Sequence, residues 1–194
     1  MMMRGILYAI LAAVVLATGV LGYTAYFAMN PEDKAFGGPF TLTDMNGNEI
    51  TEQALRGQPV ALFFGFTHCP EVCPTTLYEL NGWLSQLGPE ADNVKAFFFS
   101  VDPERDSPQT LKDYITNVTD RVTGISGDPE EVARVIRAYK IYAKKIPTNE
   151  GKDYTMDHTA SILLLNASGG FEGTIAYGED AASAMAKLKR LAAG

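Results

Sequence analysis

Cysteine is scarce in this chain of 194 residues. Cys69 and Cys73 are the only two, so no disulfide framework holds the fold together. Histidine is equally scarce, at His68 and His158, and Trp83 is the single tryptophan. Positive charge is thin as well. The chain carries 16 basic against 23 acidic side chains, a formal charge of -7, and no basic run exceeds Lys144-Lys145 or Lys187-Leu188-Lys189-Arg190. Phosphate recognition needs clustered Lys and Arg, which excludes nucleic acid as a partner. Neither an internal repeat nor a low-complexity segment interrupts the sequence.

Charge is absent altogether from Gly5 to Asn30, and Ile6 through Met29 is almost wholly apolar. About 20 residues, at about 1.5 Å each, cross the hydrocarbon of a bilayer. A cleaved leader has a shorter apolar stretch ending in small residues. Here the run ends in bulky Tyr23, Tyr26 and Phe27, which suit the membrane interface. The expectation is an uncleaved transmembrane anchor over residues 1–30, with a cleaved or mitochondrial targeting segment as the alternative. Arg4 on one flank and Glu32-Asp33 on the other leave the N-terminus in the cytoplasm under the positive-inside rule. In a bacterium this describes a single-pass protein of the inner (cell) membrane with its domain in the periplasm. Residues 31–39 read as a Pro- and Gly-containing tether, and 40–194 as one domain long enough for a full core.

Within the domain, Phe40–Asp44 alternates like a half-buried strand, Asn46-Gly47 signals a hairpin turn, and Glu49–Thr51 returns. Pro59–Phe66 is a continuous apolar run, the pattern of a strand buried on both faces. Helix follows over Pro74–Leu87, with Leu77, Leu80, Leu84 and Leu87 on one face. Asn93–Val101 is a second buried strand, and Ser107-Pro108 opens another helix as N-cap and first turn. Asp128 with Glu131 has the spacing of a capping box before a helix to about Ala143. His158–Leu165 and Phe171–Tyr177 read as strands around the Asn166–Gly170 turn, and Asp180–Ala192 as a terminal helix. This element order fits an α/β class fold, a thioredoxin-like sandwich carrying an N-terminal transmembrane helix.

Both cysteines lie where the first buried strand gives way to helix, at the sheet's carboxyl edge, the usual place for sites in α/β folds. Pro70 and Pro74 restrain the loop. Cys73 falls near the helix N-terminus, where unpaired amides and the dipole lower a thiol pKa, and a spacing of four brings both sulfurs to one side. Metal binding and redox chemistry are both open to such a pair.

Phe66-Thr67-His68-Cys69-Pro70-Glu71-Val72-Cys73-Pro74 resembles the motif of the Sco/SenC family of copper chaperones, Phe-Thr-His-Cys-Pro-x-Val-Cys-Pro, at every fixed position. The resemblance extends through Val101-Asp102-Pro103-Glu104-Arg105-Asp106 to Asp153–His158. It implies copper bound by two cysteines and a distal histidine, here Cys69, Cys73 and His158. It also implies delivery to the binuclear copper centre of cytochrome c oxidase subunit II during oxidase assembly.

Chemistry favours His158 over His68 as well. The polar residues 153–158, read as a loop, run into an apolar strand and bring His158 above the sheet, whereas the His68 side chain adjoins Cys69 and points away. Two thiolates and an imidazole suit a soft ion, so Cu(I) is favoured, with Cu(II) taking added water or carboxylate. Met156 reads as packing or as a weak extra ligand. Asp153 and Asp157 are candidates for orienting the histidine. The loop 102–106 follows a strand at the same sheet edge, and its Asp106 carboxylate either approaches the metal loop or pairs locally, as Glu104 would, with Arg105.

Two rivals remain, a thiol-disulfide oxidoreductase that reduces the oxidase cysteines and a redox or copper sensor. Thioredoxin-type reductases use Cys-x-x-Cys, commonly after Trp, with a facing cis-Pro. None of these is found here. An oxidising compartment would drive the pair toward a disulfide, so a thioredoxin-like reductase of the same compartment is an expected partner.

Overall fold

The computed structural model describes residues 11–23 and 35–194. The chain divides into two compact units, residues 1–34 and 35–194. In the first, residues 11–23 form helix α1. The expected anchor falls largely outside the described residues, and among those described no helix is long and apolar enough to cross a membrane.

The second unit is built on a seven-stranded mixed sheet. Its strands are β1 (Thr41–Asp44), β2 (Glu49–Thr51), β3 (Val60–Gly65), β4 (Lys95–Ser100), β5 (Val122–Ser126), β8 (Ile162–Leu165) and β9 (Phe171–Ile175), in the order β2-β1-β5-β4-β3-β8-β9. β3, β4 and β5 run parallel, while β8 and β1 flank them antiparallel. Every residue of β3 is buried, and Lys95 alone is exposed in β4. This explains the continuous apolar runs, because a strand covered on both faces has no polar side. The expected hairpin is present, with Gly47 at φ +84° between Asp44 and Asn48.

Helices α2 (Val72–Leu87), α3 (Pro108–Thr116), α4 (Pro129–Ala138) and α5 (Ala181–Ala192) cover the sheet. α2 buries Leu77, Leu80, Trp83 and Leu84 and packs beside α5. Three caps account for the starts of α3, α4 and α5. Ser107 Oγ accepts from Thr110 N–H, Asp128 from Glu130 and Glu131 N–H, and Asp180 from Ala182 and Ser183 N–H. The Glu131 half of the capping box is not made, since that carboxylate accepts from Thr41 N–H and pairs with Arg134.

Five expectations change. α4 stops at Ala138, not Ala143, because Tyr139 turns inward onto Phe64 and Phe99 and Lys140 takes φ +59°. Residues 143–148 instead form β6 (Ala143–Thr148), which pairs antiparallel with β7 (Asp153–His158) as a separate two-stranded sheet. The polar segment 153–158 is therefore a strand and not a loop, and the expected His158–Leu165 strand breaks at residues 159–161. β5 has no counterpart among the expected strands. It contains Gly124, Thr123 and Ser126, and it is legible as a strand only through its pairing with β4. Residues 35–39, expected as tether, belong to the folded unit, where Phe36 packs on Tyr139 and Phe171.

Candidate metal centre

β3 delivers the chain to the sheet's carboxyl edge, and the loop 66–71 turns it into α2. Gly65 closes the strand because space runs out there. A Cβ on it would stand 2.8 Å from the Phe98 ring and 2.9 Å from Cys73 Sγ. Cys73 is fully buried on the first turn of α2, whereas Cys69 is partly exposed on the loop. The helix N-cap, Glu71, makes no side-chain cap bond, and the Cys73 N–H donates instead to Cys69 Sγ at 3.3 Å.

The two thiols stand in the reverse of the expected order of acidity. The Cys69 sulfur receives the hydrogen bond of the Cys73 thiol, and to a lesser degree that of the helix amide. Against the opposing effect of burial, its pKa falls from 9.0 to about 4. Cys73 moves the other way, upward, because it donates to Cys69 and because it is buried. The pair is thus biased toward negative charge on Cys69 and the proton on Cys73, and the amide nearest the helix start serves Cys69.

His158 ends β7, and its ring meets the pair edge-on to Phe66 at 5.6 Å between centroids. Its Nε2 lies 3.6 Å from Cys73 Sγ. The Thr159 carbonyl lies 2.9 Å from Nδ1 and can only accept, so Nδ1 carries the proton and Nε2 keeps a lone pair facing the sulfurs. One donor atom from each of Cys69, Cys73 and His158 lies within 4.8 Å of the other two, and among the described residues no other trio of His, Cys, Asp or Glu is so arranged. His68 takes no part, being exposed with Nδ1 at 3.1 Å from Thr67 Oγ1.

Donor separation tests whether the three fit a metal. With bonds of about 2.3 Å to sulfur and 2.0 Å to nitrogen, ligand atoms of a three- or four-coordinate ion stand about 3.5–4 Å apart. The 3.6 Å between Cys73 Sγ and His158 Nε2 falls in that range, and a shift of about 1 Å brings in the widest pair. A cleft of about 190 Å³ opens beside Cys69 and His158, lined also by Phe66, Pro70, Val72, Met156 and Asp157.

The aspartates expected to assist are divided. Asp157 is exposed on the cleft wall, and Asp153 is exposed near Arg105. Met156 is half-buried, packed on the core and lining the cleft. Asp106 approaches the cysteine loop but through Thr67, whose Oγ1 donates to it at 2.6 Å. Burial pushes the Asp106 carboxyl upward, against hydrogen bonds from Ser100 and Thr67. Arg105 pairs with neither Glu104 nor Asp106. Its guanidinium binds Asp102, and Glu104 reaches Lys145 at 2.6 Å. Thr67, Ser100 and Tyr154, all bonded to these aspartates, carry no sequence signal, since their partners sit up to 52 residues away.

A family model described as SCO1/SenC matches residues 28–193. The chain belongs to the SCO1/SenC family. The mitochondrial protein SCO2 of Saccharomyces cerevisiae is 36% identical over 158 residues, covering 80% of this chain and 52% of that protein. The mitochondrial SCO1 homolog of Homo sapiens is 37% identical over 141 residues, covering 70% and 46%. This SCO1/SenC chain thus spans about half the length of the curated relatives it matches. The copper-bound structure of Bradyrhizobium japonicum ScoI is 50% identical and covers 81% of this chain and 99% of that one, with a TM-score of 0.74. The mixed α/β fold is the expected thioredoxin-like one.

Proposed function

We propose that this chain is a membrane-anchored copper metallochaperone that binds one copper ion through Cys69, Cys73 and His158 and delivers it to the binuclear copper centre of cytochrome c oxidase subunit II. The observation that carries the reading is the convergence of the three donor atoms within 4.8 Å. Two sulfurs and an imidazole are soft donors, and the trio contains no carboxylate, which favours Cu(I). Cu(II) would add water or the nearby Asp157. Copper arrives as cargo. Loading displaces the proton that Cys73 shares with Cys69, and the fixed Nε2 lone pair needs no tautomer change.

Delivery requires that the metal be released one bond at a time. Cys69 is partly exposed and Cys73 buried, so an incoming thiolate reaches copper from the Cys69 side, along the cleft. The uncharged run before Asn30 supports anchoring in the inner membrane with the domain in the periplasm, close to a membrane-bound oxidase. An anchor over residues 1–30 belongs to this reading, with the tether shortened to residues 31–34 by the packing of Phe36 into the folded unit. The test mixes copper-loaded chain with the reduced soluble domain of subunit II. Copper should appear in subunit II, and retention of all copper by the chain would contradict delivery.

A second reading, thiol-disulfide oxidoreductase, is favoured by the thiolate–thiol asymmetry. Cys69 thiolate would attack a disulfide sulfur of the oxidase, releasing one thiolate, and Cys73 would then displace the second, leaving a Cys69–Cys73 disulfide for a thioredoxin-like reductase to reduce. Reduction of oxidised subunit II by the metal-free chain would support it.

A further inference from the structure

The loop that follows β4 holds two aspartates, Asp102 and Asp106, both 0% exposed. Burying a carboxylate is costly unless it is paired and hydrogen-bonded, and these two are bonded in opposite directions. Asp106 reaches the cysteine loop. It accepts from Thr67 Oγ1 at 2.6 Å and from Thr67 N–H at 3.2 Å, and its other anchor is Ser100 Oγ at 2.6 Å. Thr67 is two residues before Cys69.

Asp102 reaches the histidine hairpin. The Tyr154 hydroxyl donates to it at 2.7 Å, and Arg105 Nε binds its second oxygen at 2.5 Å. Arg105 then turns onto the same hairpin residue, donating from Nη1 to the Tyr154 carbonyl at 3.0 Å and lying 3.7 Å from the Tyr154 ring centroid. Tyr154 and His158 are four residues apart on β7, hence on one face of the strand, about 13 Å along it. The loop itself is stiffened by Arg105 and Asp106 N–H donating to the Asp102 carbonyl at 3.1 and 3.0 Å, and tied to β3 through Val101 N–H on the Gly65 carbonyl.

We propose that the loop Asp102–Asp106 is a brace that sets the distance between the cysteine loop and His158, Asp106 positioning the first through Thr67 and Asp102 with Arg105 positioning the second through Tyr154. These are positioning residues, since none belongs to the donor trio. The proposal rests on the copper reading, and it assigns to two separate ligand-bearing segments a common support. β6 and β7 pair only with each other, so the sheet itself does not fix His158 over the cysteines.

The test is a copper competition titration of the full chain, reduced, carrying Tyr154→Phe or Thr67→Val, each also in a His158→Ala background. Tyr154→Phe keeps the ring on Arg105 and deletes one hydrogen bond. It should weaken copper about tenfold in the parent, with no further loss once His158 is gone. Thr67→Val should weaken copper in both backgrounds, because it acts on the cysteines. Hydrogen exchange of the metal-free chain gives an independent readout, with Tyr154→Phe speeding exchange of the β6–β7 amides and leaving β3 unchanged. Equal losses from Tyr154→Phe in both backgrounds, unchanged copper affinity, or unaltered β6–β7 exchange would overturn the brace. A parent chain that binds no copper would overturn the copper reading instead, and the exchange data would then decide the brace alone.

Discussion

Gly65→Ala adds one methyl group at the most crowded point of the site. The new Cβ would lie 2.8 Å from the Phe98 ring and 2.9 Å from Cys73 Sγ. Ordinary carbon contacts fall at about 3.5–4.0 Å, so something must move by about 0.7 Å. Phe98 is fully buried against Phe63 and Tyr114 and has little room to yield. Overpacking of this kind costs about 1–3 kcal/mol. The loss of chain freedom in the unfolded state returns about 0.4–1 kcal/mol. The net expectation is destabilisation by about 0.5–2 kcal/mol, a fall in Tm of about 2–6 °C. The Cys73 sulfur is the less constrained neighbour and shifts away from His158, weakening copper about tenfold.

Thermal melts and copper competition measure both effects. Gly82→Ala is the control, an identical change inside α2 with nothing within 4 Å of the added Cβ. It should stabilise by about 1 kcal/mol through helix propensity and leave copper binding alone. A Gly65→Ala chain as stable as the parent, with unchanged copper affinity, would refute the claim that Gly65 makes room for the Cys73 sulfur.

Other outcomes follow from the same geometry. His68→Ala should leave copper affinity unchanged in a competition assay, because His68 stands outside the donor trio; a large loss would make it a ligand. Oxidising Cys69 and Cys73 to a disulfide removes both thiolates, so oxidised chain should load no copper, and equal loading of both forms would contradict the site. Glu179 supplies a pH dependence away from the metal. Lys187 at 2.6 Å, with Ser183, holds its carboxyl near 2, below the ordinary 4.5. Its stabilisation is therefore present above pH 4.5 and lost as pH falls toward 2. Denaturant melts of Glu179→Gln should show a smaller loss over that interval than the parent; an equal loss would deny the pair a role in stability.

The two central strands were plain in the sequence, because Val60–Gly65 and Lys95–Ser100 are covered on both faces and so are written as apolar runs. Helix starts were legible for a local reason, each cap being set by residues two or three positions apart, as at Asp128. The β6–β7 hairpin was hidden. Its strands, Ala-Lys-Lys-Ile-Pro-Thr and Asp-Tyr-Thr-Met-Asp-His, are partly exposed on both faces and give no clean alternation. Of the site, Cys69, Cys73 and His158 were identified through motif and residue scarcity. Their order of acidity was not, since it depends chiefly on which thiol donates to the other, a matter of loop geometry that spacing does not encode. The supports at Thr67 and Tyr154 join residues 39 and 52 positions apart and became visible only with the fold.

The proposal that Cys69, Cys73 and His158 together hold one copper ion is decided by copper titration of the reduced full chain beside Cys69→Ala, Cys73→Ala and His158→Ala. One copper per chain is expected in the parent, with a loss of at least about 100-fold in affinity for each variant, corresponding to about 3 kcal/mol per ligand. Full affinity retained by His158→Ala would contradict it.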